Sequence, residues 1–219
     1  MASILKVDKI RGTGLDSDTM SFDGSGNITI PKNVTFSGTT TGGGMDLLLS
    51  VENNSSSPDP SPTYYDIDST YINSTYDNYY LVGYFEGNAD TRYLQGRVFV
   101  GGVVQSGNVY GDHRSSLGSS SDGGGDTETH LFTASMTGMG GDDGEGTNVS
   151  MTFQNANNTM APFCVTGMSN YHNNSAGHVG AAFTGSFIPA NRASVVNGIR
   201  LKMHSGDLTN FKFTLYGLK

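Results

Sequence analysis

The chain has 219 residues and a formal net charge of −8, and only 15% of its residues are charged. This acidic balance argues against general nucleic-acid or anionic-membrane binding, which need a basic surface, and no apolar run is long enough for a membrane-spanning helix. The 11 Tyr and 11 Phe among many Gly, Ser, Thr and Asn argue against disorder and predict an all-β protein with glycine-containing turns.

Residues 1–45 contain very short strand patterns, in ILKVDKI, NITI and NVTF, and close with the flexible connector SGTTTGGG. Such strands cannot bury enough apolar area alone, since even an isolated two-stranded hairpin is only marginally stable. They therefore need a partner surface, which is the rest of this chain, copies of the same segment or another protein. We treat residues 1–45 as a separate N-terminal segment.

Residues 46–219 show strand patterns separated by turn signals at fairly regular spacing. No stretch has a sustained helical period, so no long helix is expected. Parallel strands would need crossover helices, and the sheets should therefore be antiparallel. The pattern predicts an antiparallel β-sandwich, jelly-roll-like in its layout.

The end of the chain alternates apolar and polar residues on both sides of the turn 205–207. This period of two predicts a closing β-hairpin with one buried face. The side chains expected on that face are Ile199, Leu201, Met203, Phe211, Phe213 and Leu215.

Two segments are rich in Gly and Ser, GDHRSSLGSSSDGGGDTET at 111–129 and GMGGDDGEGTN at 138–148. We expect both to be exposed loops at sheet ends, because long loops of this composition do not pack and often carry function. They are the candidate segments for contact with a binding partner.

Catalytic chemistry has weak support in the sequence. Asp112-His113 lies near several serines, but a nucleophile needs a base oriented by a third group, and sequence neighbours rarely supply that geometry. His172 and His178 do not match a zinc-binding spacing. Glycoside cleavage would need two carboxylates placed across a groove, for which this domain is short and its turns irregular. We predict a protein that is not an enzyme.

The acidic clusters leave two interpretations open. They place carboxylates on flexible segments, which suits calcium, although neither cluster matches the register of an EF-hand loop. Solvated surface charge is the other interpretation, and we assign no metal and no cofactor. The residues concerned are Asp122, Asp126, Glu128, Asp142, Asp143 and Glu145. The single cysteine, Cys164, lies among apolar residues and is expected to be a small buried hydrophobic side chain.

Several tyrosines are candidates for stacking on sugar rings, with Asn and Ser as hydrogen-bonding neighbours. The alternative is that these rings cover the sheets, with the ring buried and the hydroxyl in water. The candidates are Tyr64, Tyr65, Tyr71, Tyr76 and Tyr110.

Four segments carry a family resemblance: SILKVDKIRGTGLDSDTMSFDGSGNITIPKNVTFSG at the start, INSTYDNYYLVG at 72–83, GRVFVGGVVQSG at 96–107, and GIRLKMHSGDLTNFKFTLYGLK at the end. Together they resemble fibre-like virion proteins of tailed bacteriophages of marine bacteria, especially cyanophages. The resemblance covers both ends and part of the middle, while residues 108–195 lie outside it. Its motifs are structural, not catalytic.

The resemblance implies a structural component of the virion, namely a tail fibre or fibre-like appendage. Residues 46–219 would form its outward β-sandwich, which could bind a polysaccharide or receptor on the host surface. The alternative is a head decoration or an architectural connector that binds no ligand. Other virion proteins are the expected partners, and neither nucleic acid nor a membrane is expected.

Residues 1–45 would then attach the protein to the virion and form a homotrimer, in which closed cyclic assembly removes exposed strand edges. The alternative is an extra hairpin within a monomer. The predicted subunit-interface residues are Leu5, Val7, Ile10, Ile28, Ile30, Val34 and Phe36.

Overall fold

The computed structural model describes residues 9–10, 20–22, 28–29, 44–54, 63–117, 122–142, 144–173, 175, 177–188 and 194–219. The chain divides into two compact units, Met1–Gly43 and Gly44–Lys219. Every regular element in the described residues is a β-strand, and every strand pairing is antiparallel. The predicted all-β class is confirmed.

The first unit contains three short antiparallel strands, β1 (Lys9–Ile10), β2 (Met20–Phe22) and β3 (Ile28–Thr29), in the order β1-β2-β3. Strands of two or three residues form few ladder hydrogen bonds. Ile10 and Ile28 of the predicted subunit interface lie in β1 and β3. The other predicted interface residues, Leu5, Val7, Ile30, Val34 and Phe36, lie outside the described residues.

The strands of the second unit form two sheets. In chain order they are β4 (Met45–Asn53), β5 (Tyr64–Ile67), β6 (Asn78–Gly87), β7 (Leu94–Val100), β8 (Val103–Val104), β9 (Tyr110–Leu117), β10 (Asp122–Glu128), β11 (Phe132–Thr133), β12 (Thr147–Gln154), β13 (Cys164–His172), β14 (His178–Phe187), β15 (Val196–Met203) and β16 (Leu208–Leu218). Among the described residues, the large sheet has the order β10-β9-β14-β13-β12-β6-β16-β4. The small sheet has the order β11-β7-β15-β5, with β8 paired to β7.

The pairing of the strands is nested. The first strand of the unit pairs with the last, β4 with β16, and the next pairs are β5 with β15, β6 with β12, and β7 with β11. Chain segments that wrap in this way around a two-sheet core form a jelly roll. Strands β13, β14, β9 and β10 then extend the large sheet beyond β12. The predicted antiparallel, jelly-roll-like sandwich is confirmed.

The last two strands do not form the predicted hairpin. Strand β15 belongs to the small sheet and β16 to the large sheet, so residues 204–207 cross from one sheet to the other. Gly206 has a φ of 77° in this crossing, which a glycine adopts readily. The predicted buried face is correct, because Ile199, Leu201, Met203, Phe211, Phe213 and Leu215 are all buried. Alternation determines which side chains are buried, whereas it does not determine whether the next strand lies beside the first or opposite it.

The segment 111–129 is not the exposed loop that its composition predicts. Most of it forms the antiparallel pair β9–β10 at the end of the large sheet. Backbone hydrogen bonds hold such a ladder without apolar side chains. Gly124 permits the close pairing, because its φ is 110° and a Cβ there would lie 1.8 Å from the carbonyl oxygen of Asp112. Segment 138–148 is also partly packed, since Met139 is buried and forms bridges to Arg92 and Asn173.

The core lies between the inward faces of the two sheets, where Phe132 of β11 is fully buried. Its ring stacks on Phe183 of the large sheet, with 5.4 Å between ring centres. Gly96 of β7 pairs directly with Phe132, and a Cβ at Gly96 would lie 2.2 Å from that ring. The missing side chain of Gly96 therefore makes the space that Phe132 fills.

Replacement of Gly96 with alanine should lower the free energy of unfolding by about 1–3 kcal/mol, because overpacking forces a core side chain to move. Gly107→Ala is the matched control, since its nearest neighbour is Val109 at 4.0 Å. Urea unfolding of both variants measures the difference. Equal stability of the two variants would contradict this account of Phe132.

Candidate functional site

A cleft is lined by strands β9 and β10 of the large sheet and by β7 and β11 of the small sheet. The inward face of β9 carries Tyr110, which is fully buried, and then Asp112 and Arg114. Asp112 and Arg114 line a cavity of about 260 Å³. The rest of its lining comes from Tyr93, Gln95, Gly124, Glu128, His130, Thr133 and His204. The cleft thus combines groups of both charges at the rim of the sandwich.

Asp112 is the centre of this cleft. Its side chain is 1% exposed. His130 Nε2 lies 3.1 Å from Asp112 Oδ2, and Arg114 Nη1 donates to the same oxygen at 3.4 Å. The backbone N–H of Thr133 donates to Oδ1 at 3.2 Å. A buried carboxylate is tolerated when it is paired and hydrogen-bonded in this way, so the cluster joins β9 to the segment that leads into β11.

Asp112 and His113, which are neighbours in the sequence, do not face each other, because adjacent residues on a strand point to opposite faces. His113 lies on the outer face, with Nε2 3.0 Å from Asp126 Oδ1. The true partner of Asp112 is His130, which sequence reasoning missed. Tyr110, Asp112 and Arg114 occupy alternate positions, which is typical of one face of a strand. The Gly- and Ser-rich composition of 111–129 predicted a loop instead, and this interpretation hid the alternation.

The cleft contains parts of a catalytic constellation without a complete one. An Asp–His pair activates a nucleophile when a hydroxyl or thiol lies on the other nitrogen of the ring. No Ser or Cys is among the described residues that line the cleft, and the hydroxyl of Thr133 accepts a hydrogen bond from Gln95 Nε2 at 3.4 Å. The contacts of Asp112 are those of a charge cluster that fixes the position of the rim.

The outer face of the small sheet carries a second group of charges, which we call the basic face. Its strands are in register, so Arg97 lies opposite Arg200, and Lys202 lies between Gln95 and Tyr64. The basic face consists of Tyr64, Asp66, Gln95, Arg97, Arg200 and Lys202.

Arg200 is held flat on this face. Its guanidinium carbon lies 3.6 Å from the ring centre of Tyr64 and 5.4 Å from that of Phe99. Nε and Nη2 of Arg200 donate to the two carboxylate oxygens of Asp66, each at 2.7 Å. This bidentate bond raises the pKa of Arg200. Arg200 is therefore neutralised and fixed in orientation.

Arg97 and Lys202 have no carboxylate partner among the described residues. Arg97 Nε donates to the carbonyl oxygen of Thr129 at 3.0 Å, and Lys202 Nζ donates to that of His204 at 3.3 Å. Burial, followed by the positive charges of Arg97 and Arg200, lowers the pKa of Lys202. The face thus concentrates positive charge on a chain whose net charge is −8.

The tyrosines predicted to stack on sugars have different environments. Tyr110 is fully buried, and burial raises its pKa to about 12. Tyr65 packs edge-on against Phe211 and Phe213, and the Tyr76 hydroxyl donates to Asp46. Tyr71 is half-buried, and among the candidates only Tyr64, at 44% exposure, is an exposed residue. Tyr65 therefore fits the interpretation that these rings cover the sheets. Tyr110 is buried together with its hydroxyl, which donates to the carbonyl oxygen of Gln105 at 2.8 Å.

The acidic clusters are spread along the surface. Asp122, Asp126 and Glu128 lie on β10, while Glu145 accepts a hydrogen bond from the backbone N–H of Asp142 at 3.3 Å. Asp143 lies outside the described residues. Within the described parts of the chain, no group of three or more His, Cys, Asp or Glu side chains is arranged to hold a metal ion.

The remaining candidates lie on strands β13 and β14. His172 pairs with His178 across them, with 5.8 Å between ring centres. Cys164, predicted to be buried, is only half-buried at the start of β13, because its neighbours Phe163 and Val165 point inward. Partial burial still raises the pKa of the Cys164 thiol, which disfavours the reactive thiolate.

Comparison of the chain with protein-family models, curated proteins and solved structures finds no match. None of the residues with described structure forms a helix that could span a membrane.

Replacement of Asp112 with asparagine should destabilise the domain by about 2 kcal/mol, because hydrogen bonds to a charged group are lost in a buried site. Asp126→Asn is the matched control, since Asp126 is 86% exposed and also contacts a histidine. Its effect should stay within about 0.5 kcal/mol. Thermal or urea unfolding gives both values, and equal stability of the two variants would rule out Asp112 as a structural centre of the rim.

Proposed function

We propose that this protein is a non-enzymatic structural component of a tailed-phage particle, a trimeric tail fibre or fibre-like appendage. The contrast between its two units carries the proposal. Residues 44–219 have a core of their own between two sheets, whereas the described strands of residues 1–43 are two or three residues long. A unit of such short strands is stabilised by contact with like chains or with another surface.

A trimer meets this requirement. Three N-terminal segments around one axis supply each short strand with neighbours, and their apolar side chains meet near the axis. Ile10 and Ile28, which lie in β1 and β3, are part of the apolar set. The jelly-roll unit would then project outward and present its loops and sheet faces to a host surface. The family resemblance at both ends of the chain supports the same setting.

The native mass tests the trimer. Light scattering of the full chain should give three times the chain mass of 23.1 kDa. Ile28→Asp should shift the mass toward that of the monomer, because it places a charge at the proposed axis. Thr29→Asp is the control on the same strand, since the sequence alternation of Ile28, Thr29 and Ile30 predicts the opposite face for Thr29. A purely monomeric unaltered chain would contradict the trimer.

A head decoration or architectural connector without a ligand is the second candidate. The outer face of the large sheet favours it, because one cross-strand row, Thr214, Val82, Ser150, Met168 and Ala182, is uncharged. Val82 and Met168 in this row are exposed. A row of this kind suits packing against a neighbouring virion protein.

Imaging of phage particles that carry a tag on this protein separates the two candidates. A tag at the tail, together with competition between purified protein and phage for adsorption to host cells, is expected for the appendage. A tag at the head without such competition would support the decoration. A particle without the tag would overturn both.

A further inference from the structure

The basic face has the features of a ligand site. Arg97 and Lys202 lie on neighbouring strands without a carboxylate partner among the described residues, and the one acidic residue of the face, Asp66, is engaged by Arg200. Like charges placed this close repel each other. An anion bound between them would relieve the repulsion, and this selects for a negatively charged ligand.

An aromatic surface lies beside these charges. Tyr64 is adjacent to Lys202 across the strands, and its ring is fixed by the stacked guanidinium of Arg200. A ring held in this way keeps an exposed apolar surface without losing rotamer freedom on binding. The C–H face of a sugar ring packs on such a surface.

A neutral hydrogen-bonding group continues the same row. Gln95, Lys202 and Tyr64 follow one another across three strands. Neighbouring strands lie about 4.8 Å apart, a separation comparable to the length of one pyranose unit. The row therefore offers an amide group, a cation and an aromatic ring at successive positions.

From this arrangement we infer that the basic face binds an acidic polysaccharide, with Arg97 and Lys202 contacting its carboxylate or sulfate groups and Tyr64 stacking on a sugar ring. The inference deepens the host-surface role in the proposed function and takes its biological setting from it. Nucleic acid fits less well, because binding along a phosphate backbone uses many cations, while this face has two uncompensated ones beside neutral groups.

Calorimetry with the full chain tests the inference. The probes are polygalacturonate for carboxylates, dextran sulfate for sulfates, and neutral dextran. We expect binding to at least one acidic polymer and none to dextran; the stronger of the two acidic probes identifies the anionic group. The absence of binding to both acidic polymers would overturn the inference.

Two variants locate the site. The double variant Arg97→Gln/Lys202→Gln should bind the acidic polymer at least about tenfold more weakly, since charge-assisted hydrogen bonds are lost. Lys212→Gln is the control, because Lys212 is an exposed lysine of the large sheet paired with Glu52 at 2.8 Å. Equal losses in the two variants would overturn the assignment to this face. Circular dichroism verifies folding, and the single variants replace the double variant if it unfolds.

Tyr64→Ala distinguishes a polysaccharide from polyanions in general. The variant should weaken binding of the acidic polysaccharide and leave that of inorganic polyphosphate unchanged, because polyphosphate has no sugar ring. If polyphosphate or single-stranded DNA binds the unaltered chain as tightly as the polysaccharide, the site is a general anion site and the inference fails. If the double variant instead changes the native mass while no polymer binds, the face is a subunit interface and the inference also fails.

The inference and the proposed function fail under different outcomes. If the chain binds no acidic polysaccharide but the tagged protein is found on the phage particle, only the inference is overturned. A protein that binds the polymer but does not occur on the particle would instead overturn the proposed function.

Discussion

The fold depends on apolar side chains of β15 and β16 meeting across the sandwich. The chain leaves the small sheet after Met203 and enters the large sheet at Leu208, so that both strands bury their alternating apolar residues against the same core. The first strands of the unit pair with these last ones, which closes the nested layout. Burial of apolar area is the main favourable term in folding, and here it also ties down the chain end.

The Asp112 cluster and the basic face treat partly or fully buried charge in different ways. Asp112 is buried and has three partners, so its charge is balanced where it lies. Arg97 and Lys202 are half-buried without a carboxylate among the described residues. A balanced buried cluster holds a structure together, whereas an unbalanced and accessible group favours a ligand of opposite charge. This difference separates the rim of the sandwich from its basic face.

Sequence reasoning succeeded where side-chain alternation carried the information. It predicted the all-β class, the antiparallel sandwich and the buried residues of the last two strands, such as Leu201 and Phe213. It failed at residues 111–129, because a strand pair at a sheet edge is held by backbone hydrogen bonds and shows no apolar signal. The loop assignment then concealed the Asp112 cluster, whose partner His130 comes from a different segment.

The sequence by itself determined which residues of each strand face the core, because a strand has a period of two whatever its neighbours are. Only the tertiary structure decided which strands share a sheet, since pairing depends on contacts between residues far apart in the chain. For the same reason it alone brought Arg97, Arg200 and Lys202 together on one face. Three cations spread over a hundred residues of an acidic chain become a positive surface only when β7 and β15 lie side by side.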